Sequence, residues 1–356
     1  MSLKGKEKLG CSLADNLKAQ APLLAFSTIY ALLAFIYTPM TLKSLLLYSG
    51  QAFVFMLISF LTLYVIYLFF KMLFITKPKS PLGYLFTEIK LYFKNNFKLA
   101  YATPLFIAYI IFMFSFPAFK SQIAIVHPFA WDLELHKLDV DLHFGRMPWE
   151  WLSSILGHPL WPVVLNYTYI LWFLLTGCAS FLACSSNRHY QLGIRYIIAS
   201  MILWVVAGNL IALFFSSAGP CYYGFLGLGN DPYASLMNNL NQVSNEYLPL
   251  LALKAQEIGW EAYRTNDAVL IGGVSAFPSM HVANSALMAI AIFAYKPFLG
   301  WILTLFTLMI LIGSIMLGWH YAVDGYAGVV LGLAAWWISA PISKWYVSRD
   351  SFKVLK

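Results

Sequence analysis

The chain has 356 residues, 60% of them hydrophobic and only 11% charged, and its mean hydropathy is +0.70. A soluble domain carries about 25% charged and about 45–50% apolar residues, so the composition excludes an ordinary soluble fold and points to an integral membrane protein. The net charge of +8 does not mark a nucleic-acid binder, because the excess basic residues flank apolar runs and form no stripe interleaved with base-stacking aromatics.

Lys4, Lys6, Lys8 and Lys18 come before the first apolar run. No small-residue cleavage site follows that run, which is the pattern of an uncleaved signal anchor. A bilayer span needs about 20 apolar residues. Segments near 22–41, 50–75, 99–118, 160–184, 195–217, 277–296, 299–318 and 321–341 supply them. They predict an all-α, polytopic membrane helical bundle of about eight transmembrane helices. The break between the last two is the least sharp. With the N-terminus in the cytoplasm, 17 of the 23 Lys and Arg residues fall on inner segments and 6 on outer ones. That bias places both termini inside.

Residues 83–98, GYLFTEIKLYFKNNFK, mix aromatic and basic positions at helical spacing, as expected of a helix lying on the inner leaflet or of a solvated loop helix. Two long segments, 119–159 and 218–275, face outward in this topology. They are rich in Tyr, Trp and Pro and are expected to form short helices capping the outer face. The first holds Asp132, Glu134, His136, Asp139, Asp141 and His143. Their alternation with Leu and Val reads as an interfacial helix with a wet side rather than a metal site. Cys11, Cys178, Cys184 and Cys221 follow no zinc or redox spacing and read as small buried hydrophobes. Asn166-Tyr167-Thr168 fits a glycosylation triplet but falls inside a span.

Ionisable side chains inside spans are costly and mark functional sites. Acidic residues are absent from the first four spans. The sixth opens with AFPSMHVANSA and brings His281, and the eighth, after GWH, brings His320 and Asp324. All three sit near outer span ends. His320 and Asp324 are four apart and share a face if the stretch is helical. A carboxylate bonded to one imidazole nitrogen leaves the other unprotonated and able to attack an electrophile. A structural hydrogen bond and half of a metal site are the alternatives. FPSMH reads as a helix N-terminus, with Pro278 in its first turn. Its free N–H groups and the Ser279 hydroxyl suit an anion, best a phosphate. A protonated His281 beside that anion can donate to a leaving oxygen.

PSMH followed by WHYAVD resembles the last two signature motifs of the type 2 phosphatidic acid phosphatase superfamily, PSGH and SRxxxxxHxxxD. FPSMH and HYAVD are most similar to the inositol phosphorylceramide synthase (inositolphosphotransferase) branch. The resemblance implies a lipid phosphatase or phosphotransferase core over 99–341. A two-helix membrane extension with its basic segment (1–98) precedes the usual six-helix core, and a basic cytoplasmic tail (342–356) follows it. It implies that His320 forms a phosphohistidine, Asp324 orients it and His281 protonates the leaving alkoxide, with no metal and no cofactor. The substrate is then a membrane lipid phosphate or phosphodiester at an outward-facing site.

The chain departs from the pattern at three places. Gly313 and Ser314 stand where the family has Ser-Arg, Met280 replaces the glycine of PSGH, and KxxxxxxRP finds no match beyond Gly219-Pro220. A phosphate needs positive charge, and Arg264, Lys254, Lys137 and Arg146 of the outer segments are candidates to supply it. Tyr222, Tyr223 and Asn209 are candidate neutral donors to phosphate or headgroup, beside Ser279 and Met280. The missing arginine tilts the reading toward a transferase. A transporter with a His–Asp proton relay and an inactive membrane scaffold are the rival readings.

Overall fold

The structure is a computed structural model that describes residues 13–96, 99–185, 189–265 and 273–349. The lysines at 4, 6, 8 and 98, Cys11, Arg188 and the last residues of the basic tail lie outside these. Every expected span is a helix, and among the described residues the regular structure is entirely helical. The long helices are α1 (Leu13–Tyr37), α2 (Leu42–Lys71), α4 (Leu99–Val126), α7 (Leu160–Ser185), α8 (Tyr190–Val205), α13 (Pro297–Met316) and α14 (Ala322–Ser348). Seven helical stretches are long and apolar enough to cross a membrane, and the protein is an integral membrane protein. Between α2 and α4 lies α3 (Pro81–Asn96), with Lys71 paired to its Glu88 at 3.7 Å.

The sixth expected span is shorter than its apolar run. Helix α12 covers only Met280–Phe293, because Pro278 cannot continue a helix backward and Ser279 caps it. Fourteen residues rise about 21 Å, less than the hydrocarbon thickness of about 30 Å. The helix survives because its longer neighbours α7, α8, α13 and α14 enclose it. Most of it is buried, including the polar Asn284 and Ser285. Helix α14 in turn runs past position 341, through Pro341, to Ser348.

Close approach between α12 and α14 comes from Gly328 and Gly332. A Cβ on Gly328 would lie 2.7 Å from the Ser279 carbonyl oxygen, and one on Gly332 would lie 2.3 Å from that of Ala283. These glycines, four apart, form the small-xxx-small seam by which membrane helices bring their backbones together. At the top of the seam the Ser279 N–H donates to the Asp324 carbonyl at 3.0 Å.

The polar segments form a cap over one end of the bundle, where α13 ends and α14 begins. They comprise α5 (Asp132–Leu142), α6 (Pro148–Ile155), α10 (Ala234–Glu246) and α11 (Leu251–Thr265). The short stretch α9 (Ala212–Phe214) extends α8 through a π-turn, and a 3-10 turn at Pro220–Phe225 follows it. Buried polar groups pin the cap. Ala252 donates its N–H to Asn166 of α7 at 3.0 Å, which gives that residue a structural role inside the span, and Gln256 donates to the Leu317 carbonyl at 2.9 Å. Helix α5 is partly wet, as expected, but Asp132 and Asp139 face inward and are 1% and 2% exposed. They turn away from water because backbone N–H groups receive them.

Helix α1 packs along α4, and α2 packs against α7 and α4. The N-terminal pair is thus laid on the flank of the bundle. Substituting Gly332→Ala forces backbone apart and is expected to cost about 1–3 kcal/mol, read as a lower thermal midpoint in detergent. Gly50→Ala, where nothing lies within 4 Å of the new Cβ, is expected to leave the midpoint in place.

Candidate active site

Helix α13 ends in a tight reversal. The N–H groups of Trp319 and His320 both donate to the Ser314 carbonyl, at 3.0 and 3.1 Å. Gly318 sits at φ 72°, the left-handed conformation that closes helices at low cost only for glycine. A Cβ there would also meet the Met237 sulfur at 2.9 Å. The reversal delivers His320, 8% exposed, to the head of α14.

Asp324 is fully buried. Its Oδ2 accepts the Tyr321 N–H at 3.0 Å and lies 3.4 Å from His320 Nδ1. The two residues do not share a helical face. His320 precedes the helix, and Asp324 reaches back from the third helical position as a capping carboxylate. At 3.4 Å the contact is electrostatic, beyond the roughly 2.7–3.2 Å of a formed N–H···O bond; such contacts tighten when substrate arrives. Burial, reinforced by the charge of Lys120, pushes the His320 imidazole down to about 3. A backbone hydrogen bond to Ala276 opposes that shift, and Nδ1, which faces Asp324, makes no hydrogen bond among the described residues.

His281 comes from the first turn of α12. Its ring packs against Trp172 and Tyr169, with centroids 4.4 and 4.8 Å away, and the Trp172 indole N–H donates to the His281 carbonyl at 3.0 Å. The His281 and His320 ring centroids are 6.3 Å apart. Ser279 is fully buried, and its hydroxyl faces the Val282 N–H at 3.5 Å. The N–H groups of Met280 and His281 have no hydrogen-bond partner among the described residues, as expected of an open helix N-terminus. The strap 273–279 above them is tied down by Ala276 N–H to the Ser217 carbonyl at 2.8 Å and by Phe277 N–H to Ser217 Oγ at 3.1 Å.

The other candidates scatter. Arg264 is exposed and pairs with Glu261 at 3.6 Å, Lys137 pairs with Glu134 at 3.0 Å, and Arg146 lies over Trp151 near Glu150. Lys254 is exposed on α11. The first three answer to surface partners. The Tyr222 hydroxyl donates to the Gln256 carbonyl at 2.8 Å, and its ring stacks on Trp260. Tyr223 packs against His136 and Tyr233. Asn209 accepts the Tyr30 hydroxyl of α1. Met280 approaches Gly208 on the α8 π-turn. Among the described residues, no three His, Cys, Asp or Glu side chains converge.

A cation that bears on the histidines is Lys120 of α4, which sequence reasoning did not single out. Its charge acts on both imidazoles. It is half-buried beneath Gly273, and no described residue pairs with it. An unpaired cation inside a bundle is costly, and an anion bound beside it offsets that cost.

The family model of the PAP2 superfamily matches residues 133–338, more than half of the chain. The chain belongs to that superfamily, and this membership suggests phosphatase-type activity on lipid phosphates. No curated protein and no solved structure matches it.

Set against that family's motifs, the sequence signal for Lys120 is plain. Lys120, six intervening residues, then His127-Pro128 repeat the spacing of KxxxxxxRP with histidine for arginine. The stretch lies just ahead of the matched residues. The family's Ser-Arg positions are also accounted for. A Cβ on Gly313 would come within 3.2 Å of the Tyr169 ring, and Ser314 is fully buried with its hydroxyl bonded to the Leu311 carbonyl at 2.7 Å. The aromatic ring that packs on His281 fills the space beside them.

Lys120→Met is expected to weaken binding of a tetrahedral oxyanion such as orthovanadate by about 10- to 100-fold, the worth of one charged hydrogen bond. Calorimetric titration of purified protein reads the change, and Lys137→Met is expected to leave it unaltered.

Proposed function

We propose that the protein is a metal-independent lipid phosphatase or phosphotransferase that works through a phosphohistidine on His320. The observation that carries the reading is the pair of imidazoles 6.3 Å apart, with Asp324 behind one of them. The His320 nitrogen turned away from Asp324 leaves the Ala276 backbone and attacks phosphorus, forming a P–N bond as the bond to the leaving lipid oxygen breaks. Asp324 stabilises the positive charge that develops on the ring. His281, protonated only once the phosphate sits beside it, gives that proton to the departing alkoxide and later takes one from the incoming acceptor. The acceptor oxygen then displaces His320 from phosphorus.

In this reading Lys120 and the open N–H groups of Met280 and His281 hold the phosphate oxygens, which is where charge builds in such a transition state. A carboxylate-backed histidine, an oxyanion cradle and a second histidine are the parts a phosphoryl transfer needs. The replacement of the family's arginine by Ser314, and the FPSMH form, favour an alcohol acceptor, as in an inositolphosphotransferase. The charge bias of the sequence puts the site on the outer face with both termini in the cytoplasm.

The test is a panel of lipid phosphates and phosphodiesters incubated with purified protein, with and without polyol acceptors. Released phosphate and newly formed phospholipid are scored separately. His320→Ala is expected to lower turnover by at least about 1000-fold without loss of the folded bundle. Full activity in that variant discards the nucleophile assignment. Chelation with EDTA is expected to leave turnover unchanged; loss that zinc restores sinks the metal-independent mechanism.

A further inference from the structure

We infer that Asp132 and Asp139 of α5 are positioning residues for this site: each fills a pair of backbone N–H groups that could hold an anion, and together they lock the turn carrying His320. The inference rests on the phosphoryl-transfer reading above.

Two helical turns separate the residues, so both project from one face of α5. Asp132 accepts the N–H groups of Ala218 and Gly219, each at 2.8 Å, and the Tyr321 hydroxyl at 2.9 Å. Asp139 accepts the N–H groups of Ala322 and Val323 at 2.7 and 2.9 Å. The two acceptor sites flank the catalytic turn. Segment 216–219 lies against it on one side, where a Cβ on Gly219 would meet the Trp319 carbonyl at 2.7 Å. The first turn of α14 follows it on the other.

The local cap of α14 does not reach the N–H groups that Asp139 accepts. Helix α14 already has a local cap, because Asp324 accepts the Tyr321 N–H. The second carboxylate comes from a helix more than 180 residues away in sequence. Tyr321, next to His320, is consequently held by its N–H on Asp324 and by its hydroxyl on Asp132. Adjacent N–H groups at a helix start form a natural phosphate site. With those of α14 and of segment 218–219 occupied by carboxylates, the open N–H groups of Met280 and His281 are left for the substrate. The same occupation holds two negative charges near the site, and these repel a phosphate from the wrong cradle.

The test uses full-length protein in detergent, with Asp139→Ala as the main variant. Loss of the carboxylate is expected to lower kcat by about 100-fold, the cost of misplacing a reacting group by about an ångström. KM for the lipid is expected to stay within about threefold, since binding is not what the residue serves. Added formate, which fits the vacated N–H pair, restores at least about tenfold of the loss and does nothing to the wild type. Hydrogen exchange over residues 318–323 speeds up in the variant and slows again with formate.

An unchanged kcat overturns the inference, and so does a loss that formate cannot relieve. If Asp139→Ala does not fold, Asp139→Asn keeps the shape and one acceptor, and it is expected to show the same selective loss of kcat. Wild-type kcat in folded Asp139→Asn overturns the inference. Failure of both variants to fold also overturns it, by making the residue a strut of the cap. If the wild type itself turns over no lipid phosphate, the reaction reading fails instead. The exchange measurement then judges the locking of the turn on its own.

Discussion

The site depends on how closely two helix backbones can approach. Apolar side chains drive no specific pairing in a bilayer, since lipid tails are as apolar as leucine, so membrane helices associate through packing and polar contacts. Gly328 and Gly332 remove the side chains that would hold α12 and α14 apart. The Ser279 N–H can then reach the Asp324 carbonyl. That bond ties the start of one helix to the first turn of another, and those two places carry His281 and His320. A wider crossing would still be a bundle of the same helices, but its imidazoles would lie further apart than 6.3 Å.

The fold was legible in the sequence because composition and run length are strong signals in a membrane protein. The spans follow from apolar runs bounded by charge, turns or proline. The shortening of α12 arose because hydropathy counts apolar residues and does not register where a helix begins. Pro278 and Ser279 mark that start, and the apolar residues ahead of them belong to an extended strap. The site was legible where ionisable residues stand inside apolar runs. His281, His320 and Asp324 stood out on that ground, and the structure brings them together.

The rest of the site was harder to read for identifiable reasons. Lys120 sits near the end of a span, where a basic residue is unremarkable, and its motif partner is histidine rather than arginine. Asp132 and Asp139 lie among other acids on an amphipathic helix. Only the backbone they meet, supplied by distant segments, separates them from the wet Glu134 and Asp141. Arg264 and Lys254 were attractive because they come shortly before FPSMH in the chain. They sit on the exposed side of α11, and nearness in sequence across a long connection says little about nearness in space. Tyr222 and Asn209 were reasonable polar candidates, but buried hydroxyls and amides find partners. The Tyr222 hydroxyl goes to the Gln256 carbonyl and Asn209 Oδ1 takes the Tyr30 hydroxyl, while the buried Asn209 Nδ2 has no partner among the described residues.

The shortness of α12 has an electrostatic consequence. Its neighbour α13 has 20 residues against 14, and the two are joined by a short turn at the far end. The open start of α12 therefore lies recessed within the bundle, enclosed by taller helices and roofed by polar loops. A helix dipole at a protein surface is damped by solvent. The same partial charge at the floor of a well meets a medium of low dielectric constant, where Coulomb forces reach further and weaken less. Any anion brought to that depth would exchange hydration for a stronger field, so the length of a single helix tunes how strongly its start attracts negative charge.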